Sequence, residues 1–70
     1  MTQKILIDGW DFSPDQILQP GEVARMFGVD PKTVTRWARA NHLTNIRTPA
    51  GHRRYSRQQV EAIMRGEATP

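Results

Sequence analysis

The sequence predicts a mainly α fold with a small β-hairpin wing, and three observations predict it. Two short amphipathic segments, each with start and stop signals, are separated only by Gly28, Val29 and Asp30. A turn at Thr48-Pro49-Ala50-Gly51 then divides two extended segments, and Ser56 opens a third amphipathic segment. The chain has 70 residues, enough for one domain, and a chain of that size buries only about 60% of its unfolded surface. Its core must be thin, and the apolar residues concentrate between Val23 and Met64. The expected division is an N-terminal arm over 1–17, a folded domain over 18–66 and a disordered tail over 67–70.

In the arm, Ile5 to Ile7 suit a short strand, and Gly9 and Ser13-Pro14-Asp15 read as turns. Trp10 and Phe12 either fold back onto the domain or belong to a frayed end. The first helix is expected from Pro20 to Phe27, with Pro20 where a missing N–H costs nothing and Val23, Ala24 and Phe27 on one face. Gln19 is a weak cap, so Glu22 is expected to act only through its charge at the helix start. Gly28 supplies the left-handed residue that ends the helix.

The second helix has the strongest start signal, Asp30 as cap and Pro31 at the first position, and runs to about Ala40. At 100° per residue Val34, Trp37 and Ala38 share an arc, while Lys32, Thr35, Arg36 and Arg39 lie opposite. One face packs and the other is basic, so Trp37 is expected in the core rather than against a base. Asn41 and His42 end the helix, with His42 at the surface. Leu43 to Arg47 and His52 to Tyr55 then form the arms of a two-stranded hairpin. The third helix starts at Ser56, which pairs with Gln59 as a capping box, and Val60, Ile63 and Met64 form its apolar face before Gly66.

Charge is distributed more tellingly than its net +3 suggests. Residues 1–22 carry −3, whereas Lys32, Arg36, Arg39, Arg47, Arg53, Arg54 and Arg57 give the stretch 32–57 a charge of +7 with no acid. Trp37, Leu43, Ile46 and Tyr55 interleave with these bases, so the charge sits on a folded surface and a polyanion is the natural partner. With no cysteine there is no disulfide, thiolate metal site or thiol nucleophile. No second His or paired carboxylate accompanies His52, which reads as a hairpin residue near phosphate; neither a metal nor a cofactor nor a catalytic group is expected, and the chain is read as no enzyme. No apolar run reaches membrane-spanning length, and no signal-peptide core follows Met1, so a soluble intracellular protein without a membrane partner is expected.

Two short helices joined by three residues, the second polar and basic outward, have the plan of a helix-turn-helix. A hairpin in the next position makes a wing that reaches the backbone or minor groove beside the groove the helix occupies. Lys32, Thr33, Thr35 and Arg36 occupy the turns that meet base edges, with Arg36 suited to guanine and Arg39 to phosphate. Thr33 and Thr35 meet either thymine methyls or phosphates. Tyr55 suits both a core anchor and a phosphate donor. RNA is disfavoured for want of an exposed aromatic platform.

The run DPKTVTRWARANHLTNIRTPAGHRRYS, Asp30 to Ser56, with VARMFGV, Val23 to Val29, before it, resembles the DNA-binding domains of the MerR superfamily. The resemblance extends over Leu18 to Met64, and RWARA and GHRRY at their spacing carry it. It is nearest to small stand-alone BldC-like members. It implies a winged helix-turn-helix with Lys32, Thr33, Thr35 and Arg36 of the recognition helix in the major groove and Arg47, Arg53, Arg54 and Tyr55 of the wing on phosphate or minor groove. Arg39 on the helix and Thr48, His52 and Arg57 on the hairpin complete the candidate DNA-binding residues. The sequence departs from the pattern at Gln19, which stands where a Ser or Thr cap is usual, and over Met1 to Gln16. It also carries no long dimerising helix after the third helix, so neither a symmetric dimer nor a small-molecule effector is expected. Relatives of this size imply two outputs: a BldC-like transcriptional regulator assembling head to tail on DNA, or a phage or plasmid excisionase that bends DNA for an integrase. The implied partners are double-stranded DNA and copies of the chain, with an integrase or RNA polymerase as further candidates. The implied location is the nucleoid in the cytoplasm, or the host cytoplasm for a phage protein.

Overall fold

Proline and glycine punctuate the helices. In the computed structural model, which describes residues 4–67, α1 spans Pro20–Phe27 and α2 spans Pro31–Arg39. Gly28 sits at φ +70° and its N–H reaches the carbonyls of α1's last turn, a conformation that costs a residue with a Cβ. Asp30 caps α2, its Oδ1 accepting the Lys32 N–H at 2.8 Å, and Pro31 follows at the first position. Glu22 does more than present charge to α1. Its Oε1 accepts the Gln19 N–H at 3.1 Å, so a free amide at the helix start is bonded, not only balanced.

α1 and α2 pack through Val23, Ala24, Val34 and Ala38, all buried, with Phe27 and Trp37 meeting edge to face at 5.5 Å and 90°. Trp37 is therefore a packing residue, as its place in the apolar arc predicts. Behind the helix pair lies a sheet of three strands rather than the expected two. β3 (Ile17–Leu18), β4 (Asn45–Arg47) and β5 (Arg53–Ser56) form an antiparallel sheet in the order β3-β5-β4. Leu18 pairs with Tyr55, and both are buried in the core with Leu43 and Val60. A domain boundary after residue 17 would cut β3 in two. The wing turn is closed by the Gly51 N–H on the Thr48 carbonyl and the Thr48 N–H on the His52 carbonyl, both at 2.8 Å. Gly51 at φ +85° supplies the left-handed residue such a three-residue loop requires.

α3 (Arg57–Met64) begins with half of the expected capping box. Ser56 Oγ accepts the Gln59 N–H at 3.4 Å, but Gln59 Oε1 turns away and accepts the Thr44 N–H at 3.0 Å. The glutamine thus pins the segment between α2 and β4 instead of the helix start. The apolar face also shifts: Val60 and Ala62 are buried, Ile63 packs against the core, and Met64 is exposed. Glu67, expected in a disordered tail, bonds its N–H to the Ala62 carbonyl at 2.8 Å. The rest of that tail, 68–70, and the arm's first three residues lie outside the described residues.

The remainder of the arm is a β-ribbon. β1 (Leu6–Ile7) and β2 (Trp10–Asp11) pair antiparallel across Asp8 and Gly9, at φ +53° and +82°, the two positive angles of a tight hairpin turn. Phe12 and Ser13 behind it are buried. The ribbon is tied to the head of α3, with Ser56 Oγ donating to the Asp11 carbonyl at 2.7 Å and the Asp11 N–H donating to Gln58 Oε1 at 3.0 Å. No helix among the described residues is long and apolar enough to cross a membrane.

Candidate nucleic-acid interface

α2 is amphipathic, and its burial divides the side chains into two sets. Val34 and Ala38 are buried, while Lys32, Arg36 and Arg39 are exposed and Thr33 and Thr35 are half-buried. The exposed set is held by local bonds. Thr35 Oγ1 donates to the Pro31 carbonyl at 3.3 Å, and Arg36 Nη2 donates to Thr33 Oγ1 at 3.5 Å. Lys32, Thr35, Arg36 and Arg39 together line an open concavity along the helix.

The wing meets the same surface. A second cleft, of about 300 Å³, is lined by Thr35 from α2, by Gly51, His52, Arg53 and Arg54 from the wing, and by Gln19 and Pro20. Thr35 belongs to both hollows, so the basic face of α2 and the basic arm of the wing form one continuous surface. Arg47, exposed, stands directly opposite Arg53 on the neighbouring strand. Two cations facing each other across a ladder repel, and an anion between them removes that cost. Arg54 Nη1 donates to the Arg53 carbonyl at 2.8 Å, and Arg53 Nε is buried without a partner among the described residues. His52 is exposed and Thr48 half-buried; Thr48 Oγ1 accepts the His52 N–H at 3.2 Å, stiffening the tip.

The acids do not cancel this charge. Among the described residues the single ion pair is Arg65 with Glu67, at 2.9 Å, which lies outside both hollows. Asp8, at the ribbon's turn, instead faces the polar segment Asn41, Thr44 and Asn45. The surface thus presents guanidinium, ammonium and hydroxyl groups with no carboxylate among them, and its chemistry is recognition of an anion with extended shape.

Two residues predicted to contact DNA from the wing lie off the basic surface. Tyr55 is fully buried, and its hydroxyl, also buried, meets no hydrogen-bond partner among the described residues. That burial pushes its phenol above the ordinary value, because the charged form would lose its water. It is a core anchor and not a phosphate donor. Arg57, at the head of α3, lines a separate cleft with Leu18, Glu22, Arg25 and Met26. The remaining predicted residues, Lys32, Thr33, Thr35, Arg36, Arg39, Arg47, Thr48, His52, Arg53 and Arg54, are carried by α2 and the wing. Sequence reasoning missed Gln19 and Pro20, which reach the cleft only because α1 starts beside the wing. No local signal marks them.

A short capped helix with a cationic outer face, preceded by a packed helix and followed by a cationic hairpin on the same surface, defines a winged helix-turn-helix nucleic-acid-binding domain. The chain matches the family described as MerR family regulatory protein over residues 19–55, from the cap of α1 to Tyr55 in β5. The chain belongs to the MerR family, whose domain binds double-stranded DNA in regulating transcription. No curated protein sequence matches the chain. The family match covers α1, α2 and most of the wing sheet and leaves out the ribbon and α3.

Proposed function

We propose that the chain is a sequence-preferring DNA-binding regulator of the BldC-like kind, several copies of which cooperate head to tail on direct repeats. The observation that carries the reading is the continuity of the basic surface through Thr35, from the outer face of α2 to the inner arm of the wing. An α-helix enters a major groove about 12 Å wide, and a wing beside it meets the flanking backbone or minor groove. In this reading Lys32, Thr33, Thr35 and Arg36 face base edges and Arg39 meets phosphate. Arg47, Thr48, His52, Arg53 and Arg54 hold the backbone or minor groove. A single module of this size covers roughly 600–1,000 Å² on DNA, which supports neighbour contacts as a source of useful affinity. Such a partner places the protein with the chromosome in the cytoplasm.

Footprinting on genomic DNA with rising protein concentration tests the reading. The expected pattern is protection that spreads in regular steps over repeated half-sites in one orientation. An isolated protomer bound tightly at one half-site would overturn the cooperative part. Stimulation of excision with a purified integrase, and no effect on transcription from the protected sites, would assign the excisionase output instead.

A further inference from the structure

The ribbon is built like a surface meant to be covered. Ile5 is 48% and Leu6 61% exposed, although Phe12 on the same ribbon is 3% exposed. Among the described residues β1 pairs only with β2, and its outer edge presents backbone groups that no strand takes up there, beside those apolar side chains. Proteins usually blunt such an edge with lysine, proline or a covering segment. Here Lys4 stands just before the ribbon, but Asp8, Asp11 and Asp15 on the ribbon and the turn after it outweigh it, for a net charge of −2 over residues 4–15. The ribbon lines neither hollow of the DNA-facing surface.

A surface of opposite character lies elsewhere on the chain. Arg25 and Arg57 flank a cleft whose apolar wall is Leu18 and Met26; its one acid, Glu22, accepts the Gln19 N–H and leaves the lining a net charge of +1. Neither arginine has an ion-pair partner among the described residues. We propose that the ribbon of one copy docks in the Arg25–Arg57 cleft of the next, with Leu6 against Met26 and the carboxylate of Asp11, opposite Leu6 in the ribbon, beside the two guanidiniums. This rests on the head-to-tail reading above and names its interface. Two different surfaces that complement each other join copies in an open row, whereas one self-complementary surface closes a pair. Direct repeats on DNA require the open row.

The test uses one-site and two-site duplexes with the full chain and two variants, Leu6→Ser and Arg25→Glu, both at exposed positions. Each variant should bind the one-site duplex as the unaltered chain does, which also reports that it folds. On the two-site duplex each should lose about tenfold or more of the second-site affinity. An equimolar mixture of the two variants should regain part of that loss, because an intact ribbon then meets an intact cleft at one junction. If the unaltered chain binds two sites without cooperativity, the head-to-tail reading itself is wrong. If it cooperates and the variants do too, the ribbon and cleft are not the interface. If both variants lose cooperativity and the mixture restores none, the pairing of ribbon with cleft is refuted.

Discussion

Salt dependence gives the sharpest measure of how the interface divides its bases. Six cations, Lys32, Arg36, Arg39, Arg47, Arg53 and Arg54, line α2 and the wing, and none is paired with an acid among the described residues. With Lys32 and Arg36 on base edges, the other four neutralise phosphates, and each released counterion contributes about −0.9, giving a log–log slope near −3.6. Raising salt from about 50 to 200 mM should then weaken binding by roughly 150-fold. Fluorescence anisotropy on a labelled one-site duplex at four or five salt concentrations measures it directly. Arg53→Ala should make the slope shallower by about 1 on every sequence, while Arg36→Ala should leave the slope and lower discrimination by about 1–3 kcal/mol. Arg57→Ala, in its separate cleft, should leave both unchanged on one site. A slope shallower than about −2, or equal effects of Arg36→Ala and Arg57→Ala, would refute the assignment.

Tyr55→Phe deletes a buried hydroxyl with no partner among the described residues while keeping the ring, so stability by urea denaturation should stay level or rise by about 1 kcal/mol. DNA affinity should not change; a large loss would restore the phosphate-donor role. Tyr55 is the chain's one tyrosine, so phenolate absorbance reports it alone. Its proton is held more tightly in the folded state than in the unfolded state, so its contribution to stability is complete below about pH 10. That contribution is lost as pH rises through the higher folded value, and the titration midpoint should fall when urea unfolds the protein. Asp30→Ala removes the acceptor of the Lys32 amide and should cost about 1 kcal/mol in thermal denaturation.

Legibility in the sequence follows the range of the interactions. α2 was readable because each cue is local: Asp30 and Pro31 set its start, and the 3.6-residue period separates Val34, Trp37 and Ala38 from Lys32, Arg36 and Arg39. β3 was not readable, because Ile17 and Leu18 become a strand only by pairing with Ser56 and Tyr55 far along the chain. The same pairing decides Tyr55, whose ring and hydroxyl suit two roles until the sheet turns it inward. Ser56 and Gln59 have capping-box spacing, yet a more distant amide, Thr44, takes the glutamine oxygen. In the ribbon, Asp8-Gly9 is a strong two-residue turn signal, but the flanking strands hold two residues each and leave no alternation to read. Charge counting found the bases of the interface but could not exclude Arg57, since only the direction taken by α3 puts it in another cleft.

The Arg47–Arg53 pair ties stability to function in opposite senses. Like charges directly across an antiparallel ladder destabilise it by about 0.2–1 kcal/mol, and Arg53 is the less able to escape because its Nε is already buried. Salt screens that repulsion, so the free protein should melt at a higher temperature as salt is raised over the range in which DNA affinity falls. Arg47→Thr removes one of the two charges and keeps a residue suited to a strand. It should raise the stability of the free protein by a few tenths of a kcal/mol, abolish much of the salt-dependent gain and make the DNA-binding slope shallower by about 1. Were Arg47→Thr to destabilise the free protein and leave the slope alone, Arg47 would be holding the hairpin together. The repulsion across β4 and β5 would then have no part in grasping an anion.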